Sequence, residues 1–72
     1  MTELDLLIEL AQEVEISDPI DWGMLEISES QAYNMIASSV LEQFPNESIT
    51  AQATITKLIV ENFVLNLKLL QR

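Results

Sequence analysis

The sequence predicts an all-α protein, a single domain over residues 1–72 that folds as a helical bundle and forms a homodimer. Apolar residues recur at helical spacing in three segments, over about residues 2–15, 28–44 and 49–70. Capping residues precede the first two segments, and the third is apolar around most of its circumference. A short helical turn near residues 19–25 completes the predicted architecture.

The first two helices have clear start signals. The Thr2 hydroxyl is placed to accept from the amide of Asp5, and the acidic first turn suits the positive helix start. Ser28 and Gln31 form a capping-box pattern at the start of the second helix, which Pro45 ends. Each helix carries an apolar face at least roughly 180° wide, enough to pack against neighbouring helices.

Between these helices, Asp18 and Pro19 predict the start of one short helical turn that ends near Gly23 or Leu25. Gly23 is the only glycine in the chain. We expect it either to adopt a backbone angle that other residues resist or to permit a close approach to Trp22.

The last segment predicts a helix whose polar residues fill a stripe only roughly 60° wide. The stripe consists of Thr50, Thr54, Lys57, Glu61, Lys68 and Arg72. Two companion helices of the same chain cover about half of such a helix, so the remaining face needs a second chain. A strand is the alternative, because Ile, Val and Thr are frequent here, but the alternation of Thr54–Thr56 fails at Leu58–Val60.

Self-association is therefore expected through this helix. The chain is 49% hydrophobic and has neither Cys nor His to staple a small core, which favours a second subunit. Asn62 and Asn66 either pair across the interface and fix its register or stay hydrated at its edge, and Gln52 and Thr56 extend the polar seam. The predicted self-association residues are Leu58, Ile59, Asn62, Phe63, Asn66 and Leu70.

The charge is distributed unevenly. Residues 1–56 hold eleven carboxylates and no base, a charge of −11, whereas residues 57–72 hold three bases and one acid, which gives +2 and a total of −9. This distribution argues against direct binding of nucleic acid or an anionic membrane, and it favours a basic protein partner or simple solubility. The acidic N-terminus and the lack of a long apolar run predict a cytoplasmic protein without a membrane span.

The residue types give no support for catalysis. The chain lacks His and Cys, and one glycine cannot form a phosphate-binding loop. The carboxylate pairs Asp18 with Asp21 and Glu26 with Glu29 are the best alternatives for acid–base chemistry or calcium binding, but capping and solvation explain them. We expect no enzyme activity and no catalytic, cofactor-binding or metal-ligating residues.

The segment around the only tryptophan is the predicted contact site for another protein. It joins Trp22, a residue type common among interface anchors, to the acids Asp18, Asp21 and Glu26. The alternative is that Trp22 and Leu25 fold inward as a lid on the core.

The runs Asp18–Trp22 and Ala32–Phe44 resemble small acidic proteins of marine bacteriophages, especially those of cyanobacteria, and of ocean metagenomes. The resemblance covers about residues 1–44. It transfers no activity and implies expression inside an infected bacterial host, hence in the host cytoplasm.

The sequence thus favours a non-catalytic interaction or adaptor protein that self-associates through its C-terminal helix. One alternative is an acidic mimic of nucleic acid that occupies a basic host protein. Another is a structural assembly subunit.

Overall fold

Three helices and one 3₁₀ turn make up the fold in the computed structural model, which describes residues 2–14 and 20–70. The helices are α1 (Glu3–Glu13), α2 (Glu29–Gln43) and α3 (Ile49–Leu70), and the turn is Trp22–Met24. These residues include no strand, so the strand alternative for the last segment is wrong. The predicted all-α fold of three principal helices and a short turn is confirmed.

Reciprocal hydrogen bonds cap α1 and α2. At α1, the Asp5 amide donates to Thr2 Oγ1 over 3.1 Å, and the Thr2 amide donates to Asp5 Oδ2 over 3.3 Å. At α2, the Gln31 amide donates to Ser28 Oγ over 3.2 Å, and the Ser28 amide donates to Gln31 Oε1 over 3.3 Å. Each box satisfies two of the amides that a helix start leaves unpaired, and both predicted caps are confirmed.

A tight connection joins α2 to α3. The Phe44 amide donates to Val40 O over 2.8 Å and ends α2, while Ser48 Oγ accepts from the Ala51 amide over 3.1 Å at the start of α3. Gln52 Nε2 reaches back from α3 and donates to Phe44 O over 2.9 Å. This last bond fixes the angle at which α3 leaves the turn, because it ties the first turn of one helix to the end of the other.

The core forms where the three helices meet, since each helix contacts the other two. Tyr33 and Leu7 are the largest side chains that are completely enclosed. Burying a leucine to this degree contributes about 2 kcal/mol. The buried core residues are Leu7, Ala11, Tyr33, Ile36, Ala37, Val40, Ala53, Val60 and Val64.

Helix α3 is longer than its companions and determines the shape of the molecule. Its 22 residues extend over about 33 Å, close to the 38 Å long axis of the protein. Helices α1 and α2 have 11 and 15 residues and pack against α3 from the core side. Among the helices that the structure describes, none packs on the remaining side of α3.

Gly23 does not have the backbone geometry that the sequence suggested. Its φ is not positive, so the expectation of an unusual backbone angle is wrong. A Cβ at this position would lie 3.3 Å from Asp21 Oδ1, the atom that accepts a hydrogen bond from the Gly23 amide. The glycine leaves space for the carboxylate that caps the 3₁₀ turn.

Candidate functional site: the outer face of α3 and the Lys57 pocket

The side of α3 that faces away from α1 and α2 is a continuous, mostly apolar surface, here called the outer face. Leu58, Leu65 and Leu69 each expose between 58% and 61% of their surface on it. No charged side chain lies within it, because Glu61 and Lys68 fall on its flank. The exposed part of the outer face consists of Leu58, Ile59, Asn62, Leu65, Asn66, Leu69 and Leu70. The face begins at Ile55, which is partly buried against the core of its own chain.

Helical geometry places this face roughly opposite the buried one. At about 100° per residue, the outer face occupies an arc of roughly 140°. Ala53, Val60 and Val64 point into the core from the other side of the same helix. Within the described residues, α1 and α2 cover one side of α3, and the other side is exposed from Leu58 onward.

The predicted self-association residues divide between the two sides of α3. Leu58, Ile59 and Leu70 are exposed apolar residues. Asn62 and Asn66 are also exposed, in the middle of the outer face. Phe63 differs, because it is partly buried against the core of its own chain.

Gln52 and Thr56 do not continue the asparagine seam, so that interpretation is wrong. Both are buried on the core side of α3. Gln52 Nε2 donates to Phe44 O, and Thr56 Oγ1 donates to Gln52 O over 2.8 Å. Their polar atoms have partners within the chain, which explains how they are tolerated in the core.

Lys57 is not part of an exposed polar stripe, and this prediction is also wrong. Only 7% of its surface is exposed. Its Nζ donates to Tyr33 Oη over 2.7 Å and to the backbone oxygen of Gln12 over 3.4 Å, and it lies 5.4 Å from the centroid of the Tyr33 ring. The long side chain follows the helix surface and brings its ammonium group to the junction of all three helices.

A pocket of about 370 Å³ opens beside this ammonium. Trp22 forms one wall, with its ring centroid 6.1 Å from that of Tyr33 and the two planes inclined by 46°. Gln12 and Glu29 form another wall and are joined by a hydrogen bond of 3.1 Å from Nε2 to Oε1. The ammonium is engaged by α1 and α2, so its evident role is to hold the helices together.

The tryptophan segment combines an inward ring with outward acids. Trp22 is partly buried and packs against the core, as the lid alternative expected. Asp21 and Glu26 are exposed, and Asp21 also caps the 3₁₀ turn through its 3.2 Å bond to the Gly23 amide. Asp18, the fourth residue of the predicted contact site, lies outside the described residues. A contact role for Asp21, Trp22 and Glu26 stays a prediction.

Two further observations concern the described part of the chain. Its acidic side chains form no cluster of three or more with the proximity that metal coordination requires. None of its helices combines the length and the apolar character needed to cross a lipid bilayer.

Comparison of the chain with protein-family models, with curated proteins and with solved structures gives no match.

Proposed function

We propose that this protein is a non-catalytic interaction module that self-associates through the outer face of α3 and acts in the cytoplasm of a bacterial host. The observation that carries the proposal is the uncharged, mostly apolar face of α3, which is exposed among the described residues from Leu58 to Leu70. Exposed apolar surfaces of this kind are typical of protein–protein contacts. Each of the other two helices presents exposed carboxylates, which would repel a second copy.

The exposed apolar area of the outer face suits a weak, reversible dimer. Leu58, Leu65 and Leu69 each keep about three fifths of their surface in solvent, so a second copy would remove six leucine side chains from water in total. The freedom that two molecules lose on association opposes this gain and is of similar size. We therefore expect a dimer that forms only at high protein concentration.

In the adaptor role, the acidic surface near Trp22 binds a second protein, which is basic. Asp21 and Glu26 are exposed in the segment around Trp22, which packs against the core and would anchor the acids there. Opposite charges on the two proteins would accelerate their encounter. This surface is separate from the outer face of α3, which leaves it open in a dimer.

Sedimentation of a Leu58→Asp variant tests the self-association. A carboxylate placed in the apolar contact loses its hydration without a cationic partner, so we expect the variant to remain monomeric at a concentration where the native chain is dimeric. Helix content should not change, because Leu58 is exposed in the single chain. Thr50→Asp adds the same charge on the polar side of α3 and should leave the dimer intact.

Two results would contradict the proposal. One is a native chain that sediments as a monomer at several hundred micromolar. The other is a Leu58→Asp variant that dimerises as well as Thr50→Asp does.

The acidic mimic remains a second candidate because one row of carboxylates follows α1. Asp5, Glu9 and Glu13 are all exposed and four residues apart, hence about 6 Å apart along one face. A mimic needs two such rows, and its complex with a basic protein should weaken steeply as salt is added. An adaptor complex built on Trp22 and its two neighbouring acids should weaken less steeply with salt than a two-row mimic, and it should also weaken in a Trp22→Ala variant.

A further inference from the structure

The spacing of residues on the outer face specifies how two copies would pair. We infer that the second copy lies parallel and in register along α3, as a short two-helix coiled coil in which Asn62 of one copy faces Asn62 of the other. This inference rests on the self-association proposed above and adds its geometry.

The outer face contains a heptad pattern. Ile55, Leu58, Asn62, Leu65 and Leu69 follow one another at intervals of three, four, three and four residues, the spacing of alternating a and d positions. Leucine occupies both d positions, and the a positions hold Ile55, Asn62 and Leu69. Leucine at d with isoleucine and a single asparagine at a is a feature of parallel dimers, in which the polar a residue specifies register at some cost in stability.

The three-helix bundle leaves this pattern open to a partner. Four of the five residues are exposed, and Ile55, at the end nearer the connection to α2, is partly buried against the core of its own chain. The bundle core lies against the opposite side of α3, at positions that a two-helix coiled coil leaves outward. Each copy can therefore keep its own core while α3 pairs with α3.

Hydrogen bonding of Asn62 favours the parallel arrangement. In a parallel, in-register pair, each Asn62 amide faces its counterpart and can exchange hydrogen bonds with it. In an antiparallel pair, a positions oppose d positions, so Asn62 would face a leucine of the second copy. A buried amide without a partner lowers the association constant by about 5-fold to 150-fold.

The charged residues beside the heptad positions give a weaker preference, and it is for the antiparallel arrangement. An antiparallel pair can bring Glu61 near Lys68 of the second copy, an attraction that the parallel pair lacks. Exposed ion pairs of this kind raise an association constant by about 1.5-fold to 5-fold. The asparagine effect is larger, so we expect the parallel arrangement to dominate.

Cysteine crosslinking distinguishes the two orientations, because the natural chain contains no cysteine. Leu58→Cys and Leu69→Cys lie about 16 Å apart along α3. In the parallel dimer each cysteine faces the same position of the other copy, within the Cα separation of about 7 Å that a disulfide requires. In the antiparallel pair that sets Asn62 against Leu65, position 58 instead faces position 69.

The variants are oxidised separately, and then as a mixture in which one of them carries a mass tag. We expect disulfide-linked homodimers from each variant alone, and few mixed 58–69 crosslinks. Thr50→Cys, which is exposed away from the outer face, should crosslink at least tenfold more slowly. Circular dichroism of the reduced proteins checks that each variant is folded.

The possible results distinguish failure of the parallel arrangement from failure of self-association itself. Predominant 58–69 crosslinks, or a dimer that crosslinks at neither position, would overturn the parallel arrangement and leave self-association standing. Variants that sediment as monomers together with a monomeric native chain would overturn both.

An Asn62→Leu variant tests the role assigned to the asparagine. We expect its dimer to be about tenfold tighter, because a buried polar residue is removed. We also expect mixed 58–69 crosslinks to appear when Asn62→Leu is combined with the two cysteine variants, because the constraint on orientation is lost. A dimer that stays uniquely parallel without Asn62 would show that this residue does not determine the pairing.

Discussion

At the scale of single residues, Lys57 connects all three helices. Its side chain extends from α3, donates to Tyr33 on α2 and reaches the backbone of Gln12 on α1. A buried ammonium group is costly unless its donors find acceptors. The short bond to Tyr33 Oη is therefore expected to stabilise the junction more than an exposed hydrogen bond would.

The Lys57–Tyr33 pair predicts a measurable coupling free energy. Tyr33→Phe keeps the ring against Trp22 but removes the acceptor, so we expect it to lower the free energy of unfolding by about 1–3 kcal/mol. In the Lys57→Met background the same change should cost at least about 1 kcal/mol less, because no buried ammonium remains. Urea unfolding of the four proteins measures the coupling, with exposed Lys68→Met as control. Additive effects of the two changes would contradict the role assigned to the pair.

At the scale of elements, the sequence predicted the helices well because the signals that begin and end them are local. The Ser28 cap and its partner Gln31 are three residues apart, and α2 and α3 begin within one residue of the expected positions. The burial of Lys57 could not be found in this way. Its partners lie 24 and 45 residues away in the chain, so their proximity arises only when the helices pack.

The outer face of α3 could be predicted from the sequence only in part. The wide apolar arc of the segment was visible in the sequence, and it indicated that one side would lack a partner within the chain. Which side faces the core depends on where α1 and α2 pack. For this reason the sequence pattern placed Gln52 and Thr56 with the exposed asparagines, although the fold buries both on the core side. The pattern likewise placed Phe63 with the exposed leucines, although Phe63 is partly buried against the core.

Removing the Ser28 cap at the start of α2 is expected to lower the stability of the protein. Ser28→Ala removes the oxygen that accepts from the Gln31 amide, and we expect the free energy of unfolding to fall by about 1 kcal/mol. Ser30→Ala is the matched control, because Ser30 lies two residues after Ser28 in the first turn of α2, is exposed and is not the N-cap. Thermal unfolding at one fixed protein concentration measures both variants. Equal losses from the two serines would show that the cap contributes no more than helix propensity.

At the scale of the whole molecule, the net charge of −9 would oppose the apolar attraction that we propose between copies. Two chains of the same sign repel each other wherever their acidic surfaces approach, while the uncharged outer face adds no repulsion of its own. A net charge of this size disfavours non-specific aggregation through the exposed leucines. In the proposed dimer, ionic strength would therefore set the balance between charge repulsion and apolar attraction.

This balance predicts that salt strengthens the dimer. Raising the ionic strength from about 0.01 M to 0.15 M shortens the Debye length from about 30 Å to about 8 Å, which screens the repulsion between the copies. We expect the dissociation constant from sedimentation equilibrium to fall about tenfold, because apolar contacts do not weaken over this range. A triple variant with glutamine at the exposed positions Glu9, Glu13 and Glu42 carries less charge, so its salt dependence should be shallower. The opposite trend, a dimer that dissociates as salt is added, would mean that charge attraction rather than the apolar face of α3 holds the copies together.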